Sequence, residues 1–106
     1  MLALSIRQPF AEQILRGTKK IEYRSIPTRI RGRIYIYASK KDRKDEYKKM
    51  GEEPGTFPTG VLVGTVEIIS CHKKQGKYHW QLACPKRAKK KIKPKKQPQP
   101  VWFRPF

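Results

Sequence analysis

A short stretch near the N-terminus, "GTKKIEYRS" at residues 17–25, carries side chains suited to ligand chemistry. Lys19, Glu22 and Arg24 bring an ammonium, a carboxylate and a guanidinium into six consecutive positions. A guanidinium can hold a phosphate or a base edge through two parallel hydrogen bonds, and a carboxylate can accept from an exocyclic amine. The stretch therefore indicates a pocket for an anionic ligand. The alternative is an exposed strand with a weak surface ion pair.

The elements around this stretch follow from local patterns. Alternation predicts a strand over residues 3–6 and another over residues 19–25, and helical spacing predicts a helix between them. That helix begins near Pro9 and ends at Gly17, because proline suits a first helical turn and glycine suits the left-handed cap. Strand alternation then places Lys20, Glu22 and Arg24 on one face, with Lys19 at the start of the strand.

Further along the chain, two apolar segments predict strands at residues 33–39 and 61–70. In the first, Ile34, Ile36 and Ala38 face inward, and at least one of the alternating Tyr35 and Tyr37 is exposed. In the second, Gly64 marks a bend or a close backbone approach. Between them lies a polar helix that Asp42 caps. The segment "KYHWQLACP" is ambiguous between helix and strand, and "VWFRPF" forms a closing strand.

This element order predicts a mainly β, α+β fold: a small β-barrel with peripheral short helices. The barrel comprises residues 1–85 plus 101–106. Residues 86–100 are a basic, lysine- and proline-rich segment with little to bury, so we expect it to stay extended until it meets a partner.

The charge balance points to a polyanionic partner. The 106 residues contain 26 lysines and arginines against 8 aspartates and glutamates, a formal net charge of +18. Nucleic acid is the commonest intracellular polyanion, whereas binding to an anionic membrane would need a long amphipathic basic helix that the sequence lacks. With no apolar membrane-spanning run, no signal peptide and only two cysteines, we expect a cytoplasmic monomer with reduced thiols.

Four potential metal ligands, Cys71, His72, His79 and Cys84, fall in one segment. Their spacing matches no usual zinc pairing, because one cysteine and one histidine are adjacent and the other two donors are isolated. Adjacent side chains on a strand also point in opposite directions, which argues against a Cys–His nucleophile. We expect neither a metal nor a cofactor. The nearby aromatic residues could stack on bases, but a small barrel is expected to use both tryptophans as core.

Several segments together resemble the ASCH domain, a branch of the PUA-like barrels. "LSIRQPFAEQILRGTKKIEYRS" followed by "RGRIYIYASKK" contains the family pattern at Gly17, Lys19, Glu22 and Arg24. "PTGVLVGTVEIISC" and "YHWQLACPKR" resemble later family segments, so the likeness covers residues 2–87 and 101–105. It implies a cleft that binds RNA or a nucleotide, lined by residues matching Lys19, Glu22 and Arg24.

One branch of that family hydrolyses the acetyl amide of a modified cytidine with a lysine, a threonine and a glutamate. Lys19 matches the lysine, but Glu22 stands where the threonine is expected, so the sequence departs from the catalytic set. Glu67 is a candidate for the downstream carboxylate. Other members are described as nucleases, so an amidohydrolase or ribonuclease with Lys19 and Glu22 as catalytic residues remains the alternative to a binding domain.

The first hypothesis is thus a domain that binds RNA or a modified nucleotide, and DNA without sequence preference. The N-terminus of a helix next to an arginine is a common phosphate-binding site. The resemblance to the ASCH domain also implies that the end of the 33–39 strand lines the cleft. The lysine run would hold phosphates without reading sequence. The predicted nucleic-acid-binding residues are Arg7, Gln8, Lys19, Glu22, Arg24, Ser39, Lys40, Lys89, Lys90 and Lys91. A third hypothesis is an interaction module whose basic segment contacts acidic proteins.

Overall fold

A computed structural model describes all 106 residues and organises them around one curled six-stranded sheet that forms a half-barrel. The elements are β1 (Ala3–Arg7), α1 (Phe10–Arg16), β2 (Ile21–Arg24), β3 (Gly32–Ser39), α2 (Lys44–Lys49), β4 (Val61–Lys74), β5 (Lys77–Ile92) and β6 (Trp102–Phe103). The strand order is β2-β5-β4-β3-β1-β6, in which only β1 and β3 pair in parallel. The predicted mainly β architecture is confirmed. Neither helix is long and apolar enough to cross a bilayer.

The main core lies between α1 and the inner face of the sheet. Ile34, Ile36 and Ala38 of β3 are buried there, as alternation predicts, and Ile14 of α1 packs into the same cluster. Trp80 of β5 is fully buried, so it is a core residue rather than an exposed stacking platform. A seven-residue helix is marginal by itself, and this apolar contact is what stabilises α1.

The opposite face of β3 is also covered, contrary to the expectation for its tyrosines. Tyr37 is buried in a second cluster with Phe103 of β6, with the ring centroids 5.3 Å apart, and Tyr35 is partly buried beside that cluster. The prediction that at least one of them is exposed was therefore wrong. The closing strand β6 returns beside β1 and brings Phe103 onto this face, which strand alternation alone does not reveal.

Two local predictions at element ends have opposite outcomes. Gly17 does cap α1 in the left-handed conformation, with φ 82°. Asp42, however, does not cap α2, because the helix begins one residue later with Arg43 as its N-cap and no side-chain cap bond. The backbone N–H of Arg43 instead donates to the carbonyl of Gln8 at 2.8 Å, and its guanidinium binds Asp45.

The β4–β5 hairpin is longer than predicted. The ambiguous aromatic segment is strand, and β5 continues to Ile92. Lys86, Arg87 and Ile92 pair with the first half of β4, and residues 88–91 fall in the register shift between Arg87 and Ile92. The basic segment expected to begin at residue 86 therefore starts inside the sheet. Lysines favour solvated extended chain locally, but pairing with β4 overrides that preference because ladder hydrogen bonds satisfy the backbone.

Gly64 explains how the two strands approach each other in this region. A Cβ atom at this position would lie 2.2 Å from the carbonyl oxygen of Lys86 and 2.7 Å from Leu15 Cδ2. The register of β4 against β5 also shifts between Leu62 and Gly64. The predicted close backbone approach is confirmed: the absence of a side chain at Gly64 gives room to Leu15 of α1 and to the β5 backbone at Lys86.

An ion-pair cluster holds the basic half of β5 against α1. Arg87 donates two hydrogen bonds to the carboxylate of Glu12, at 2.8 and 2.9 Å, and Arg16 donates a third at 2.8 Å. Glu12 is itself buried, with 6% of its surface exposed. The hydrogen bonds from Arg87, followed by those from Arg16, lower the pKa of Glu12 below its ordinary value despite the opposing effect of burial.

The pKa of Glu12 is lower in the folded state than in the unfolded chain, so the ionised carboxylate stabilises the fold. This stabilisation is fully present at pH values above the ordinary carboxyl pKa of about 4.3, and it is lost as the pH falls through the lower pKa of the folded state. We expect Glu12→Gln to lower the free energy of unfolding by about 1–2 kcal/mol at neutral pH, since hydrogen bonds to a charged group are involved but Arg87 is half exposed. Urea denaturation across a pH series measures this. The difference from the parent protein should shrink in acid, and a difference that does not change with pH would contradict the assignment.

Candidate ligand-binding cleft

The three side chains that the sequence singles out do come together. The carboxylate of Glu22 accepts a hydrogen bond from Arg24 Nε at 2.7 Å, and Lys19 Nζ lies 3.6 Å from its other oxygen. Lys19 precedes the first residue of β2, so strand alternation does not fix its direction and its ammonium can reach the face that carries Glu22. It also lies about equally far from the Phe10 and Tyr23 rings, at 5.1 and 5.0 Å.

Glu22 does not line the cleft beside Arg24 but pairs with cations of the protein. Its side chain is 9% exposed, and both carboxylate oxygens face cations of the protein itself. A buried carboxylate needs such partners, since an unpaired charge away from water is costly. The structure thus makes Glu22 a residue that orients Arg24, where the sequence suggested an acceptor for an exocyclic amine.

Arg24 links two strands that lie far apart in the sheet order. Its Nη2 donates to the carbonyl oxygen of Ser5 in β1 at 2.9 Å, while Nε is held by Glu22 of β2. The guanidinium also lies 5.5 Å from the ring of Trp80, which stacks on Trp102 of β6 at 5.8 Å. These contacts draw the two ends of the curled sheet together and leave Arg24 Nη1 without a partner in the protein.

A large cleft opens beside Arg24, with a volume of about 920 Å³. This is near the upper end of the range for ligand pockets, roughly 300–1,000 Å³. Five of its lining residues are cationic and none is acidic; the cations are Arg7, Arg24, Lys40, Lys41 and Lys93. Hydroxyl groups of Ser5, Tyr37, Ser39 and Thr59 lie between them. Such a lining suits phosphate oxygens and polar base edges.

Four of the predicted binding residues line this cleft: Arg7, Arg24, Ser39 and Lys40. They meet there because the parallel strands β1 and β3 both end at this edge, with Arg7 opposite Ser39 in register. Arg7 and Lys40 are exposed, and their side chains make no hydrogen bond or ion pair within the protein.

Gln8 does not face the cleft. It is fully buried, its Nε2 donates to the carbonyl of Pro58 at 2.9 Å, and its Oε1 accepts from the backbone N–H of Glu12 at 2.9 Å. The amide therefore fastens the loop before β4 to the first turn of α1. No phosphate can replace these partners without breaking both contacts.

Lys19 lines a second, smaller cavity of about 250 Å³ together with Lys20, Leu82 and Cys84. The predicted set of Lys19, Glu22 and Arg24 therefore converges without sharing one recess. The three predicted tether lysines are exposed on β5 and lie outside both cavities; they are Lys89, Lys90 and Lys91.

Sequence reasoning missed a large part of the cleft wall. Lys41 follows directly after the predicted Lys40, so extending the predicted site by one residue beyond the strand would have included it. Lys93, Gln97 and Gln99 come from the segment after β5, and only the return of the chain to β6 brings them to the cleft. No local pattern signals that return.

The four sulfur and nitrogen donors are spread along the β4–β5 hairpin. His72 and His79 pair across the two strands, Cys71 pairs with the buried Trp80, and Cys84 lies farther along β5 with φ 50°. No three side chains of the histidine, cysteine, aspartate or glutamate types form a group that could hold a metal ion. His79 instead contacts the ring of Tyr23 edge-on at 4.8 Å.

The orienting role of Glu22 can be tested by removing its charge. We expect Glu22→Gln to lower the free energy of unfolding by about 2 kcal/mol in chemical denaturation, because a hydrogen bond to a charged partner is lost from a shielded site. Glu53→Gln is the matched control: it changes the net charge equally on an exposed loop, and its effect should stay within about 0.5 kcal/mol. Equal effects of the two substitutions would contradict the role.

Comparison with known proteins gives a consistent result. A family model described as the ASCH domain matches residues 4–99, a range that includes β1 to β5 and most of the segment before β6. Among curated proteins, activating signal cointegrator 1 of Homo sapiens is 36% identical over 80 residues, covering 64% of this chain and 14% of the relative. The Mus musculus protein of the same name is 35% identical over 80 residues with the same coverage.

The chain therefore spans only about 14% of the length of these relatives. The family model, in contrast, covers most of the chain and includes the pattern at Gly17, Lys19, Glu22 and Arg24. On this evidence the chain belongs to the ASCH domain family.

Proposed function

We propose that this ASCH domain binds single-stranded RNA or a modified nucleotide in the main cleft. The observation that carries the proposal is the lining: five cationic side chains and no acidic one surround a cavity of about 920 Å³. A cavity of one sign concentrates ligands of the opposite charge and strengthens their contacts, since screening by water is weaker in a recess.

Arg24 and Arg7 have different parts in this proposal. Arg24 is held in place by Glu22 and the Ser5 carbonyl, so little side-chain entropy is lost when its free Nη1 donates to a phosphate or a base edge. Arg7 is exposed and unpaired, and it supplies affinity through charge. The first residue accounts for selectivity and the second for binding strength.

The tether lysines extend this surface. Lys89, Lys90 and Lys91 lie on β5 between its pairs at Arg87 and Ile92, so both ends of this lysine run are anchored to β4. They are suited to the backbone of a longer strand of RNA, and equally of DNA, because phosphate contacts carry no sequence information. This accounts for a nonspecific component of binding outside the cleft.

The name of the mammalian relatives, activating signal cointegrator 1, describes those proteins and does not mention hydrolysis. One observation keeps a hydrolase as a second candidate: Lys19 Nζ forms an ion pair with the Glu22 carboxylate at 3.6 Å, so the two proposed catalytic groups are neighbours. Glu67, the other candidate carboxylate, pairs with Arg33 and Ala83 in the sheet and lines neither cavity.

The binding proposal predicts that Arg7→Ala weakens the affinity for a short oligouridylate several-fold. The slope of log affinity against log salt should fall by about 0.7, the value for one phosphate contact on a single strand. Fluorescence anisotropy at several salt concentrations measures both quantities. Arg29→Ala is the control, since Arg29 is an equally exposed arginine outside the cleft. If Arg29→Ala weakens binding as much as Arg7→Ala does, the affinity depends on the overall positive charge and not on the cleft.

The hydrolase candidate predicts turnover of N4-acetylcytidine, or of labelled RNA, that falls at least about a hundredfold in Lys19→Ala. Product formation followed by chromatography measures this. Lys74→Ala is the control, because it removes the same charge from an exposed position outside both cavities. Absence of turnover, or turnover that both variants retain, would eliminate the enzyme reading and leave the binding proposal intact.

A further inference from the structure

The segment between β5 and β6 forms one complete wall of the cleft. We call residues 93–101 the strap; seven of its nine residues line the cavity, including Lys93, Gln97 and Gln99. The facing wall belongs to the body of the domain and carries Arg7 and Lys40. A ligand in the cleft would therefore lie between the sheet and a connecting segment, not on an open surface.

Few contacts hold the strap in place. At one end, Ser5 donates its hydroxyl to the Gln99 carbonyl at 2.7 Å and its backbone N–H to the Val101 carbonyl at 2.9 Å. Near the other end, the N–H groups of Lys95 and Lys96 donate to the Pro105 carbonyl at 2.8 and 3.0 Å. Val101 packs against the main core but is only partly buried, and no other strap side chain is fully buried, so the hydrophobic effect contributes little to the attachment of the rest of the strap.

The backbone of the strap limits further attachment. Pro94, Pro98 and Pro100 have no N–H group to donate, so the strap cannot add a ladder of hydrogen bonds to the body. Val101, which joins the strap to β6, has φ 64°, a conformation that costs a β-branched residue about 1–3 kcal/mol. The closed position of the strap is thus held by few bonds and opposed by local strain.

The charges on the two walls also oppose closure in the free protein. Lys93 faces a wall that carries Arg7, Lys40 and Lys41, and no carboxylate lies among the lining residues to offset the repulsion. An anion placed between the walls reverses the sign of this interaction, because it attracts both. The same anion would thereby stabilise the closed strap.

We propose that the strap is a clamp that closes on an anionic, phosphate-bearing strand, with Lys93 as a further ligand-binding residue. The phosphates lie between Lys93 and the body cations, and the amides of Gln97 and Gln99 are available to polar base edges. This inference rests on the proposed function, since it assigns the second wall of the same cleft. Ligand binding orders the strap, and the ordered strap in turn stabilises the bound ligand.

Two variants of equal charge test the role of Lys93. Lys93→Ala removes a strap lysine that lines the cleft, and Lys95→Ala removes a strap lysine that does not. In stopped-flow measurements with a short oligouridylate, Lys93→Ala should raise the dissociation rate about fivefold, and Lys95→Ala by less than about twofold. Equal effects of the two substitutions would overturn the assignment of Lys93.

Hydrogen exchange of the full chain tests the clamp itself. Amides of residues 95–101 should exchange at least about tenfold more slowly with saturating oligouridylate, and also with inorganic polyphosphate, since closure requires only an anion between the walls. Binding of the RNA without strap protection would overturn the clamp and leave the cleft proposal standing. Protection by polyphosphate without any RNA binding would overturn the nucleic-acid assignment and support the clamp, whereas protection by neither anion would eliminate it.

Discussion

The hydrogen-bonded ion pair between Glu22 and Arg24 is the constraint on which the cleft depends. Glu22 is buried on β2, and its carboxylate fixes the guanidinium so that Nη2 reaches the Ser5 carbonyl of β1. Because β2 ends one side of the sheet order and β1 lies next to the other end, this contact helps to curl the sheet. Trp80 and Trp102, stacked at 5.8 Å, fill the space beneath it. One short charged motif thus contributes to the curvature of the half-barrel and fixes the position of a cleft arginine.

The remaining features follow from combining this closure with an excess of 18 positive charges. The parallel pairing of β1 and β3 puts Arg7 and Lys40 at the same edge of the sheet, and curling adds Arg24 of β2 to the cavity that they line. The carboxylates that could neutralise them are used elsewhere: Glu12 binds Arg87 and Arg16, and Glu22 binds Arg24. The cleft is cationic because none of the eight aspartates and glutamates lines it. That division of charge supports a role in binding anions, and it means that an anion in the cleft attracts the strap toward the body of the domain.

Local patterns predicted the features that depend on neighbours in sequence. These include the inward residues of β3, the cap at Gly17 and the close approach at Gly64, since each follows from strand alternation or from backbone freedom. Features that depend on distant parts of the chain were missed. Gln8 is buried because Pro58 accepts its amide, Tyr37 because β6 covers it, and the lysine-rich half of β5 is a strand because β4 pairs with it. The grouping of Arg7, Arg24, Ser39 and Lys40 was accessible, but the strap that faces them was not.

The central claim is that a pre-oriented Arg24 and a free Arg7 meet an anionic strand inside the cleft. Nuclear magnetic resonance of the arginine Nε–H groups during titration with a short single-stranded RNA tests this most directly. The account predicts that the Arg24 Nε–H is already protected from exchange in the free protein and remains so, while the Arg7 Nε–H becomes protected on binding. Unchanged signals for both, with perturbations confined to the exposed lysines of the β4–β5 hairpin, would contradict it.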